Sequence, residues 1–323
     1  MLLKKRIKKI FDAISGAAIR RLGSGDFVQK LLISQGVISA RQISSLKKIE
    51  SLADVEFSIF SQWGEDGIIE WLVQTNVEMP NSFVEFGVES YREANTRFLL
   101  CHRNWRGLII DGSASNIAAV RDDNILWRYD LTATNAFITR ENINGLIQQA
   151  GFEGEIGILS VDIDGNDYWV WKAIECVSPH IVIIEYNAVF GDRYSLTIPY
   201  DPEFFRTKAH YSNLYFGASI VALSKLAAEK GYTLLGSNLA GGNAFFIRND
   251  RLPRFADRIV DRTARPSRFR EGRDAKGNMS FVRGRGRAES IADCTVTDLT
   301  NGTSTQLGSF GELYSERWST LIT

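Results

Sequence analysis

The sequence predicts an α/β fold built on a doubly wound, mostly parallel sheet of seven strands. Two observations predict it. Short apolar runs recur at 83–87, 107–111, 125–129, 157–162, 181–186, 232–236 and 243–248, mostly separated by helix-length segments. Strands that alternate with helical patterns build right-handed βαβ units and so a parallel sheet. Several runs also end in an acid: Glu85-Phe86-Gly87 closes the first, and Asp111-Gly112 closes the second, 26 residues after Glu85. In such a Rossmann-like sheet, ligands bind beyond the carboxyl ends of the strands. Terminal acids would therefore gather at one crevice.

Composition bounds the rest. A chain of 323 residues with 44% hydrophobic content reads as a globular protein with a core. It divides into a helical, basic segment (1–50), the strand-and-helix block (55–250) and an Arg-rich extension (251–323). The formal charge is zero, so nothing global points to nucleic acid. Cys101, Cys176 and Cys294 are scattered without metal-ligand spacing, which argues against a disulfide framework and for a reducing, cytoplasmic compartment.

No run of apolar residues is long enough to cross a membrane. Lys4, Lys5, Arg6, Lys8 and Lys9 also interrupt any secretory apolar region. Leu3, Ile7, Ile10, Phe11 and Ile14 recur instead at helical spacing opposite those basic residues. Such a helix can lie on an anionic bilayer surface, or dock on its own protein or a second subunit. No oligomeric state follows from the sequence.

The strand ends carry the chemistry. Glu85 to Ser90 offers a turn in which Gly87 permits close backbone approach, although Glu89 and Tyr91 stand where small residues are common. Asp111 suits a ribose, because a carboxylate accepts both hydroxyls of a vicinal diol. Asp130, after the 125–129 run, could face an adenine amine or cap a helix. The densest group is Ser160-Val161-Asp162-Ile163-Asp164-Gly165-Asn166-Asp167, followed by Glu185-Tyr186-Asn187 after the next strand. Hard oxygen ligands of this kind, Asp164 with Glu185 and Asn187, could hold Mg²⁺. Without metal, Asp162 or Asp164 could serve as a general base, or the run could be turn chemistry alone. His210 could reach the mouth of the cleft as a base or belong to an acceptor loop. His102 and His180 read as surface residues flanking elements.

These residues carry a resemblance. Ser61-Gln62-Trp63-Gly64-Glu65-Asp66-Gly67, Phe83 to Gly87, Asn95-Thr96, Asn104 to Gly112, Ser160 to Tyr168, Ile184 to Asn187 and Tyr215 to Ser219 follow one another in order. Over residues 58–250 the chain resembles the FkbM-related class I methyltransferases. The resemblance implies S-adenosyl-L-methionine as cofactor and methylation of a hydroxyl, often on a sugar. It implies that Glu85, Phe86 and Gly87 line the methionine side, Asp111 and Gly112 the ribose and Asp130 the adenine. Asp162 would lie beside the transferring methyl, and Gln62, Glu65 and Asp66 could close over the cofactor or cap a helix. Related macrolide-sugar enzymes bind a divalent ion through acids after the fourth and fifth strands. Here Glu-Tyr-Asn replaces the Asp-Asp pair common there.

The expected activity is thus an O-methyltransferase acting on a sugar, glycan or lipid-linked glycan, in the cytoplasm or peripherally on the inner face of the cell membrane. A nicotinamide-dependent oxidoreductase would want Gly-x-Gly-x-x-Gly, which Gly87 to Arg92 fails. A non-catalytic binding module at a membrane surface is the reading from another class. Eleven arginines between Arg251 and Arg287, against four acids, could bind an anionic acceptor, contact a membrane or subunit, or form a solvated extension with a loop over 272–287.

Overall fold

The computed structural model describes residues 26–268 and 272–322, and the amphipathic pattern of residues 3–14 lies outside them. The strands are β1 (Ser82–Phe86), β2 (Arg106–Asp111), β3 (Leu131–Asn135), β4 (Gly154–Val161), β5 (Val177–Glu185), β6 (Leu196–Thr197), β7 (Tyr232–Ser237), β8 (Asn243–Arg248), β9 (Thr295–Asp298) and β10 (Thr303–Gln306). Seven of them form one sheet in the order β3-β2-β1-β4-β5-β8-β7. The first five run parallel, and β8 is antiparallel to both of its neighbours. This is the expected doubly wound, mostly parallel Rossmann-like sheet.

Its central strands are apolar on both faces because helices cover both. Ile181, Val182, Ile183 and Ile184 are all fully buried. A continuous apolar run of this kind is what a parallel sheet selects. Side chains alternate between two cores: Val84, Ile110, Leu159 and Ile184 enter one, and Phe83, Ile109, Ile158 and Ile183 enter the other.

Two local expectations fail. Residues 125–129 are not a strand: Ile125–Arg128 is a single helical turn, with only Ile125 buried and Trp127 83% exposed. The third strand is Leu131–Asn135, a polar edge strand whose sequence, Leu-Thr-Ala-Thr-Asn, carries almost no apolar signal. The second failure is His180, which lies inside β5 with no exposure rather than on the surface. Its Nδ1 faces Asn76 Nδ2 at 3.3 Å and its Nε2 lies 3.6 Å from Glu155.

The chain after residue 250 folds back over the carboxyl edge of the sheet. β9 pairs with both β6 and β10, making a three-stranded antiparallel sheet. Trp318 is buried and donates through Nε1 to Ala264 O at 3.1 Å, while Tyr314 Oη donates to Val189 O at 2.9 Å, just beyond β5. Val296, Leu307 and Leu313 join the same core as Leu159 and Ile184. The segment expected as a loop holds a short helix, Arg285–Glu289, and a bridge between Arg273 and Met279. Among the described residues, no helix is long and apolar enough to cross a membrane.

Candidate active site

Strand register decides which side chains meet. Phe86 lies opposite Ile110, Glu85 opposite Ser160, and Val161 opposite Ile184. The next residues along these chains therefore emerge level with one another: Gly87, Asp111, Asp162 and Glu185 share the carboxyl edge. Gly87 is required there. Its φ is +69°, and a Cβ would lie 1.7 Å from Asp162 O. A side chain at 87 would push the first and fourth strand ends apart.

The loop after β1 keeps a left-handed backbone at three alternate residues: Gly87 (+69°), Glu89 (+47°) and Tyr91 (+56°). Glycine occupies such positions freely, whereas other residues carry roughly 1–2 kcal/mol of strain at each. Contacts hold the loop in place. Arg97 Nη1 donates to Tyr91 O at 2.5 Å, and Tyr91 Oη lies 2.9 Å from Thr96 Oγ1. Glu85 anchors the following segment by accepting from Asn95 N at 2.8 Å, from Thr96 N at 3.1 Å and from the Thr96 hydroxyl. Burial pushes the Glu85 carboxyl up to about 7 against those three donors.

Asp111 sits at the end of β2, almost buried. Its Oδ1 accepts from Ser113 N at 2.8 Å and Asn116 Nδ2 at 3.1 Å, and its Oδ2 accepts from Glu89 N at 2.8 Å. A carboxylate offers about four acceptor sites, so about one remains, on Oδ2. The expected grip on both hydroxyls of a diol therefore narrows to one direct bond, unless Asn116 swings away.

Beyond β4 and β5, ligand oxygens of Asp162, Asp164 and Glu185 all lie within 4.8 Å of one another. Asp164 reaches the group from a left-handed position, φ +56°, and pairs with Arg206 Nη1 at 2.5 Å. Glu185 Oε2 is shielded from solvent and has no hydrogen-bond partner. Burial, with repulsion from neighbouring acids, holds Asp162 and Glu185 well above the usual carboxylate range. A divalent cation would relieve both the repulsion and the orphaned oxygen. Turn chemistry falls instead to Asp167, which accepts from Ile163 N at 2.8 Å and Gly165 N at 2.9 Å.

Other predicted residues fall elsewhere. Asp130 precedes β3, at the opposite end of the sheet, and lies exposed 3.8 Å from Arg106 Nε. It cannot face an adenine at the carboxyl edge. Asn187 is buried and fully engaged: Nδ2 donates to Leu214 O and Phe216 O, and Oδ1 accepts from Val189 N. It shapes the backbone after β5, and Asp162 takes its place in the acid group. His210 does not line the cleft; Ser212 Oγ sits 2.7 Å from its Nδ1, and Asp293 and Cys294 lie nearby. Glu65 and Asp66 hold structure. Glu65 accepts from Trp63 N, Asn238 Nδ2 and Asn243 Nδ2, and Asp66 accepts from the backbone of Ile59, Phe60 and Ser61. Gln62 is exposed at the cleft mouth.

Two cavities of ≈ 360 and ≈ 420 Å³ run along this edge and share Gly87, Glu89, Asp162, Asp164 and Arg206. The first joins the Asp111 carboxylate to apolar Phe137, Ile138 and Ile163, and the second holds Glu85 and Glu185. Sequence reasoning missed Arg206, which also donates through Nε to Asn213 O at 2.8 Å and lies 3.9 Å over the Phe216 ring. Its exposed-looking context, Phe204-Phe205-Arg206, gave no periodic signal.

No protein-family model matches the chain, and no curated protein matches it. Solved structures do. An S-adenosylmethionine-dependent methyltransferase from Clostridium acetobutylicum ATCC 824 is similar at 11% identity and TM-score 0.38, over 57% of this chain and 90% of that one. The N-terminal domain of EvdMO1 with SAH bound is similar at 10% and 0.37, over 58% and 81%. An O-methyltransferase family protein from Burkholderia thailandensis is similar at 13% and 0.33, over 57% of each chain. At such identities and TM-scores, the functional reading of this chain rests on its own site.

Proposed function

We propose that the protein is an S-adenosylmethionine-dependent O-methyltransferase acting on a hydroxyl of a sugar, glycan or glycolipid precursor. One observation carries the reading: a mostly apolar crevice ending in Asp111 adjoins a group of three carboxylates, one with an orphaned buried oxygen. The residues fit the cofactor. Phe137, Ile138 and Ile163 offer apolar surface for a base, Asp111 Oδ2 offers an acceptor for a ribose hydroxyl, and the loop at Gly87 leaves room for the amino-acid end.

When bound, the cofactor supplies an already activated methyl group, so the protein has only to orient the acceptor and receive its proton. Asp162, at the junction of the two cavities, is the group placed to receive it. Burial and the neighbouring acids raise its proton affinity, which favours its taking up a proton. With a divalent cation held by Asp162, Asp164 and Glu185, the ion itself would lower the pKa of a bound hydroxyl, and Asp162 would serve as a ligand in place of the base. Arg206 fixes Asp164 from the acceptor side. The basic helical pattern of residues 3–14 supports a peripheral position on an anionic membrane surface, on the cytoplasmic side.

Calorimetric titration of the full chain with the demethylated cofactor tests this reading. Binding is expected. A flat titration would remove the methyltransferase reading and favour a non-catalytic module.

A further inference from the structure

A third cavity, ≈ 350 Å³, adjoins the reaction cleft and shares Ala188, Ser267 and Arg287 with it. Arg268, Arg283 and Arg287 all line it. Four arginines of the C-terminal segment have carboxylate partners elsewhere: Arg251 and Arg254 with Glu78, Arg285 with Glu312, and Arg317 with Asp261. Among the described residues, no ion pair engages Arg268, Arg283 or Arg287.

Arg287 stands out further. Its Nε is shielded from solvent and has no hydrogen-bond partner. Burial lowers its proton affinity; Tyr314 opposes that, and the positive charge of Arg206 adds to it. A guanidinium nitrogen that is shielded from solvent and lacks an acceptor is costly unless an anion completes it. Guanidinium forks match phosphate oxygens in pairs, and such charge-assisted bonds are among the strongest available to a protein. Within the segment 251–287, Arg265 reaches Ser51 Oγ and Arg273 reaches Gly277 O, whereas Arg268, Arg283 and Arg287 converge on one cavity.

The charge layout gives the substrate a polarity. Carboxylates Asp162, Asp164 and Glu185 occupy one part of the trough, where a neutral hydroxyl would react. The guanidiniums of Arg268, Arg283 and Arg287 occupy the adjoining part. An uncharged sugar would leave the shielded Nε of Arg287 without an anionic partner.

We infer that the acceptor carries a phosphate or diphosphate group, held by Arg268, Arg283 and Arg287 while its sugar hydroxyl lies against the acidic group. This rests on the methyltransferase reading for the hydroxyl end, but the anion site itself does not require it. The phosphate chemistry is common to nucleotide-linked and lipid-linked sugars.

The test titrates the full chain with inorganic pyrophosphate, uridine diphosphate glucose and geranylgeranyl diphosphate, with the demethylated cofactor as a separate ligand. Pyrophosphate should bind, and both R287Q and R283Q should weaken it by about tenfold or more, while R283Q binds the demethylated cofactor as the parent does. Arg283 is exposed, so its variant guards against misfolding of the Arg287 one. Tighter binding of the uridine compound than of pyrophosphate would assign a nucleotide-linked acceptor, and tighter binding of the isoprenoid a lipid-linked one. The inference is overturned if none of the three probes binds, or if neither variant changes their affinity. Arginine-dependent pyrophosphate binding without cofactor binding would sink the methyltransferase reading and leave the anion site standing.

Discussion

The backbone N–H of Glu89 donates to Asp111 Oδ2 at 2.8 Å, which ties the loop after β1 to the end of β2. Asp111 therefore organises the loop and presents an oxygen to the crevice. Replacing Asp111 with Ala should weaken binding of the demethylated cofactor by about tenfold or more, since a bond to an ionised group contributes roughly 1.5–3 kcal/mol. Asp130→Ala, at the other end of the sheet, should leave that affinity unchanged. Calorimetry on both variants checks the pair of assignments. Equal affinities for Asp111→Ala and the parent would remove the ribose role.

The acid group makes a separate prediction. If Asp162, Asp164 and Glu185 take a divalent cation, millimolar Mg²⁺ should raise the thermal midpoint of the parent, and a chelator should reverse the rise. Glu185→Gln keeps the shape, loses one charge and should abolish the increment. Asn187→Asp should not enlarge it, because that side chain is committed to Leu214, Phe216 and Val189. A Mg²⁺ response identical in the parent and in Glu185→Gln would place the ion elsewhere.

How legible all this was in the sequence varied with the kind of signal. Strands whose both faces are covered, such as β5, announce themselves as unbroken apolar runs, and their terminal acids follow by position. The edge strand β3 does not, since it needs only one buried residue and its polar sequence resembles a loop. That miss displaced Asp130 by the length of a strand, from one end of the sheet to the other. Glu89 and Tyr91 hid the glycine-type loop, because the backbone adopts the left-handed turn without the glycines that usually mark it. Asn187 looked like a ligand because sequence spacing cannot tell an amide aimed at a cavity from one aimed at backbone carbonyls. The partners of Arg206 and the surroundings of Arg287 are set by tertiary packing of distant segments, which no local pattern encodes.

Glu56 offers a test of how the cleft wall depends on pH. Its Oε1 accepts from Leu239 N at 2.5 Å, so it braces the 238–242 turn that borders the cleft. Burial pushes its carboxyl from 4.5 up to about 7; the Leu239 bond opposes that, Glu65 adds to it, and Arg265 and Arg268 oppose it. The fold therefore holds a proton on Glu56 that the unfolded chain has released between about pH 4.5 and 7. Stability tied to this group is complete below 4.5 and is lost as pH rises through 7. Glu56→Gln keeps an acceptor for Leu239 and removes the titration. Its melting temperature should match the parent's near pH 4.5 and exceed it by a few degrees at pH 8. Thermal scans of both proteins at the two pH values decide the matter: a difference that does not change with pH would mean that Glu56 is ionised in the fold throughout.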